Sequence, residues 1–62
     1  MTYDQLTALS DAWQDALKFP DSNERFKSAT GYVIVNEFHN YVIAHRGLST
    51  IKLLNNGDIF EL

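Results

Sequence analysis

Residues 31–47 read "GYVIVNEFHNYVIAHRG", and this stretch constrains the fold of the chain more tightly than any other. "YVIV" and "YVIA" are β-branched and aromatic, the composition of strands. The intervening "NEFHN" is poor in strong helix formers. His39 and Asn40 tolerate the backbone of a tight turn better than most residues. The segment therefore predicts two antiparallel strands closed on His39-Asn40. It also carries a helical stripe, since Ile34, Val35, Phe38, Tyr41 and Val42 fall at i, i+1, i+4, i+7 and i+8. Read that way, the chain has three helices plus a C-terminal hairpin and looks winged-helix-like. Asn36, His39, Asn40 and Arg46 would then be candidate nucleic-acid contacts.

The flanking segments favour the strands. Thr2 and Gln5 have the spacing of a capping box. Leu6, Leu9, Trp13, Ala16 and Leu17 follow at helical spacing, and Asp4, Asp11 and Asp15 share another stripe. "FP" at Phe19-Pro20 disfavours helix before the proline, so this helix should stop near Lys18. "DSNERFKSATG" reads as a shorter helix capped by Asp21, with Phe26 and Ala29 on one side and Gly31 at its end. "TIKLLNNGDIFEL" contains Asn56-Gly57, a two-residue type I′ turn signal. That register places Leu54 opposite Ile59, Leu53 opposite Phe60, Lys52 opposite Glu61 and Ile51 opposite Leu62. The resulting expectation is one α+β domain over residues 1–62. It has an N-terminal amphipathic helix, a short second helix, and a four-stranded antiparallel β-meander with strands near 32–38, 41–46, 50–55 and 58–62.

The first hairpin has an unusual consequence. With His39-Asn40 as the loop, Phe38 faces Tyr41, Glu37 faces Val42, Val35 faces Ala44, Ile34 faces His45 and Val33 faces Arg46. One face carries Val33, Val35, Val42 and Ala44. The other carries Tyr32, Ile34, Phe38, Tyr41 and Ile43, with Asn36 and His45. An antiparallel sheet packed on one side usually shows polar residues on the other. Here both sides are apolar, and one long helix covers only one. The second face must meet the short helix, with Phe26 on Tyr41, or a second copy of the chain, or a different protein.

Chemistry is hard to find. The 62 residues include no cysteine, which removes disulfides, cysteine zinc sites and thiol nucleophiles together. Ser10, Ser22, Ser28 and Ser49 stand in no activating context. His39, His45 and Glu37 match no ligand spacing for a metal, which needs three or four converging donors. Gly31, Gly47 and Gly57 are isolated, so no glycine-rich phosphate loop is present. No cofactor and no small-molecule substrate are implied. "MTYDQ" has no positive charge, and no apolar run exceeds four residues, which points to the cytoplasm and away from a membrane span.

The net charge is −3, from five basic and eight acidic residues. It is uneven: residues 1–24 carry −4 and residues 25–62 carry +1. Nucleic-acid affinity depends on lysine and arginine neutralising phosphates, so this balance argues against the winged-helix alternative. The favoured expectation is a small non-enzymatic protein-binding module: an adaptor, regulator or inhibitor. Tyr32, Phe38, Tyr41 and Ile43 are the expected anchors, with Asp4, Asp11 and Asp15 as an acidic steering face. In general style only, a small acidic chain without catalytic residues resembles the inhibitors encoded by phages and other mobile elements.

Overall fold

Thr2 starts the chain's first helix. In the computed structural model, which describes residues 1–62, its hydroxyl accepts from the Gln5 amide at 3.1 Å. The Gln5 side chain returns the bond to the Thr2 amide at 2.9 Å. Two backbone donors that a helix start leaves orphaned are thus satisfied. Helix α1 then runs over Tyr3–Ala16 and buries Leu9, Trp13 and Ala16. Leu17, expected on the inner stripe, is instead 36% exposed, because the helix has ended there.

Helix α2 spans Ser22–Thr30. Asp21 does not cap it with its side chain as the sequence suggests. Its carboxylate is taken by Arg25 Nε, at 2.8 Å one turn on. At the other end Gly31 adopts φ +82 and its amide bonds the Lys27 carbonyl at 2.8 Å, closing the helix in a left-handed conformation natural to glycine.

Residues 31–47 form two strands, β1 (Val33–Glu37) and β2 (Tyr41–Arg46), and the three-helix alternative is not formed. The loop is His39-Asn40, with the Phe38 amide donating to the Tyr41 carbonyl at 2.8 Å. Strands β3 (Ser49–Leu54) and β4 (Ile59–Glu61) complete an antiparallel sheet in the order β1-β2-β3-β4. The fold is α+β, two helices and a four-stranded meander.

Two registers differ from the sequence expectation. In β1, Glu37 pairs with Val42 and Asn36 with Ile43, but then Ile34 pairs with Ala44 and Val33 with His45. Val35 is an extra residue, a β-bulge. A one-residue shift moves side chains to the opposite face. Tyr32 and Ile34 therefore join Val42 and Ala44 on the inner side, and Val33 turns outward.

In the last hairpin, Leu53 pairs with Ile59, Lys52 with Phe60 and Ile51 with Glu61. The loop has three residues, Asn55 to Gly57, because Leu54 is bonded to Asp58. A type I′ turn needs positive φ at both central residues, and Asn56 does not have it. The neighbouring loop explains the change. Asn55 donates its amide to the Asn40 carbonyl and its side chain to the His39 carbonyl at 3.1 Å. Asn55 thus braces the first hairpin instead of pairing in the second.

The core lies between the helices and one face of the sheet. Its fully buried members include Trp13, Phe26, Tyr32, Ala44, Ile51 and Leu53. Trp13 meets Phe26 edge-on at 5.3 Å, and Phe26 meets Tyr32 at 6.3 Å. Trp13 Nε1 donates to the Leu54 carbonyl at 2.8 Å, and Tyr32 Oη and Ser49 Oγ are 2.7 Å apart. No buried side-chain polar atom is left without a partner. This aromatic cluster compensates for the small core of a short chain.

Candidate functional site: the open face of the sheet

Alternation along the strands decides what faces outward. Val42 and Ala44 are buried against the helices, so Tyr41, Ile43 and His45 point away from them. Ile51 and Leu53 are buried, so Thr50, Lys52 and Leu54 point away. Ile59 packs against the core, so Phe60 points away. Both helices lie on the inner side, and no element of the chain covers the outer one.

The outer face is apolar and aromatic. Phe38 is 51% exposed and Phe60 52%, with Val33, Val35 and Leu62 exposed around them. Tyr41 and Ile43 are half-buried by their neighbours. The rings of Phe38 and Tyr41 stack at 4.7 Å between centroids. Lys52 Nζ sits 4.3 Å from the Tyr41 ring centre, a cation–π contact. Ile43, Lys52 and Phe60 lie in one cross-strand row.

The expected site residues divide. Phe38, Tyr41 and Ile43 come together on this face. Tyr32 does not: the Val35 bulge turns it inward, where it is wholly buried, bonded to Ser49 and overlaid by the Arg46 guanidinium at 4.6 Å. The expected cover of Phe26 on Tyr41 is also absent, since Phe26 packs between Trp13 and Tyr32. Asp4, Asp11 and Asp15 are exposed on α1, in the helical layer, and share no surface with the aromatic patch. Sequence reasoning missed Val33 and Phe60, both displaced by the two register changes.

Other clefts offer less. One between the start of α1 and the sheet, of about 420 Å³, is lined by Tyr32, Arg46, Ser49 and Glu61. Its polar groups are already engaged: Arg46 donates to the Thr30 carbonyl, and Glu61 pairs with the N-terminal amine at 3.2 Å. The cleft between α1 and α2 is lined by Asp15, Asp21, Glu24 and Arg25. Within it Arg25 holds the Asp21 carboxyl below its ordinary value, by the hydrogen bond first and by charge as well. No three His, Cys, Asp or Glu side chains converge as metal ligands. No helix is long and apolar enough to cross a membrane.

The chain is a small α+β protein with two helices on one face of a meander and the other face bare. It matches no protein-family model, no curated protein and no solved structure.

Proposed function

We propose that this protein is a non-enzymatic binding module, an adaptor, regulator or inhibitor acting in the cytoplasm, that holds another protein on the outer face of its sheet. One observation carries the reading. Phe38, Tyr41 and Ile43, with Phe60 across Lys52, put aromatic and aliphatic surface on the outer side of the sheet, with nothing of the chain's own over it. Contiguous apolar surface of this kind marks interaction sites, and aromatic residues are favoured anchors. The acidic stripe of Asp4, Asp11 and Asp15 acts from the opposite layer. From there its field steers a basic partner toward the molecule.

Site-specific photocrosslinking tests this. A benzophenone amino acid is placed at position 38 on the sheet, and in a second variant at position 11 on α1. The expected result is a discrete crosslinked protein from position 38, absent from position 11 and lost when Tyr41→Ala is added. Crosslinks from position 11 alone, or from neither position, refute the assignment of the face.

A further inference from the structure

We infer that Asn56 is a site of spontaneous deamidation by the chain's own backbone, and that helix α1 holds the reaction off by gripping the loop that carries it. The inference is independent of what covers the sheet.

Two adjacent residues set the chemistry. Asn56 is exposed, and Gly57 follows it. The Gly57 backbone nitrogen, once deprotonated, can attack Asn56 Cγ. An N–Cγ bond forms, the Cγ–Nδ2 bond breaks, ammonia leaves and a succinimide ring remains. Water then adds to one of the two ring carbonyls. Opening at Cγ leaves an aspartyl residue. Opening at the main-chain carbonyl leaves isoaspartyl, with the chain running through Cγ. In sum, an amide and water become a carboxylate and ammonium. Glycine makes ring closure easy, because no Cβ obstructs it and the backbone rotates freely. The other asparagines, Asn23, Asn36, Asn40 and Asn55, precede Glu24, Glu37, Tyr41 and Asn56, whose side chains hinder the same approach.

The fold opposes each part of this reaction. The Gly57 nitrogen must give up its proton, yet the residue is buried and its N–H donates to the Leu54 carbonyl at 3.0 Å. Asn56 Cγ must swing onto that nitrogen, yet its amide is held at both ends. Oδ1 accepts from the Asp58 amide at 2.9 Å, and Nδ2 donates to the Asp58 carboxylate at 3.2 Å. Helix α1 secures the arrangement through Ser10, Trp13 and Gln14, which share one face at i, i+3 and i+4. Ser10 Oγ donates to the Gly57 carbonyl at 2.7 Å, and Trp13 Nε1 donates to the Leu54 carbonyl at 2.8 Å. Gln14 Nε2 donates to Ser10 Oγ at 3.1 Å, and its stem lies close against Gly57. Ring closure therefore waits for the loop to leave α1. Its rate is that of the free loop multiplied by the fraction of time the loop is open.

The change is one-way. The product sets a carboxylate where Nδ2 had met the Asp58 carboxylate, so a donor is replaced by a like charge. Isoaspartyl also lengthens the backbone of a three-residue loop. Either product loosens the grip on α1. It also disturbs Asn55, which braces the first hairpin through the Asn40 and His39 carbonyls.

The test incubates the whole chain at mildly alkaline pH, native and in guanidinium chloride. Peptide mapping by mass spectrometry follows the conversion of amide to acid, and isoaspartyl methyltransferase labels the isoaspartyl product. Ser10→Ala and Gln14→Ala, each checked for native circular dichroism, are run in parallel. In denaturant, position 56 should convert ahead of the other four asparagines, at least about tenfold faster than in the native chain. Native Ser10→Ala should convert about two- to tenfold faster than the native parent, the effect of one lost hydrogen bond on opening. Gln14→Ala should move the rate the same way. The purified isoaspartyl product should unfold at lower urea than the parent. No conversion at position 56 in denaturant overturns the site. Equal rates with and without denaturant overturn protection by the fold. Parental rates in both native variants overturn the role of α1, and an unchanged urea midpoint overturns the loosening.

Discussion

Deleting a residue from the middle of a strand normally reverses the faces of everything on one side of the cut. Val35 should be an exception. The observed pairs are Val33 with His45, Ile34 with Ala44, Asn36 with Ile43 and Glu37 with Val42. Removing Val35 leaves all four pairs intact and abolishes the bulge. Val35 is 47% exposed, so about half of a valine's burial is lost. That is about 0.8 kcal/mol against at least about 1.5 for full burial. Regularising the ladder restores a backbone bond with a net worth of about 0.5–1.5 kcal/mol. The two nearly cancel, and the deletion should change stability by less than about 1 kcal/mol. Deleting Ile43 is the control. It has no bulge to absorb it, and it forces Val42 or Ala44, 8% and 0% exposed, out of the core. A chain of 62 residues has only about 3–9 kcal/mol in total, so that variant should not fold. Urea unfolding followed by Trp13 fluorescence and far-UV circular dichroism measures both, with the slope m showing whether the transition stays two-state. A loss above about 2 kcal/mol on deleting Val35, where about 1.4 already means a tenfold change in the folding equilibrium, would refute the bulge as a removable insertion.

Three further outcomes follow from named contacts. Trp13→Phe removes one of the two donors to the Leu54 carbonyl, which keeps the Gly57 amide at 3.0 Å, and empties part of a fully buried ring site. The lost bond and the space left behind together should cost about 1–3 kcal/mol in urea titrations. Gly57 has φ +98, and a Cβ there would lie 2.5 Å from Gln14 Cγ. Gly57→Ala should destabilise by at least about 1 kcal/mol, and Gln14→Ala should restore part of it in a double-mutant cycle, since only the clash and not the backbone strain is relieved. Asp21 titrates below the ordinary 3.8 because Arg25 bonds its carboxylate. A depressed folded-state value means stability present above the unfolded pKa and lost as pH falls through the folded one. In Arg25→Gln, a carboxyl-detected NMR titration should show Asp21 returning toward 3.8, and the acid limb of stability near and below that pH should flatten slightly.

The local elements were legible because their causes are local. Thr2 and Gln5 lie one turn apart, so the capping box could be read from spacing alone. Phe19-Pro20 interrupts helical geometry directly, and α1 does end before it. The β-branched tetrapeptides declared strands, and the His39-Asn40 loop follows from where they stop. What escaped were the two registers. Nothing in "YVIVNE" distinguishes a bulged strand from a regular one. The choice is made across space, where a bulge lets Tyr32 enter the core beside Phe26 and reach Ser49. Likewise "NNG" carries a two-residue turn signal. Its third loop residue was recruited by the Asn40 and His39 carbonyls, which chain order places 15 or more positions away. The candidate site was legible only in part for the same reason. Phe38, Tyr41 and Ile43 belong to segments whose register is set by the adjacent turn, whereas Tyr32 and Phe60 lie beyond the displaced pairs. Sequence by itself determined the element types, their order and the apolar character of both faces of the first hairpin; that the short helix leaves one face uncovered came from the packing of Phe26 between Trp13 and Tyr32. Only the tertiary structure decided which residues make up the bare face. A one-residue choice of register costs little locally, yet it sends every later side chain to the other side of the sheet.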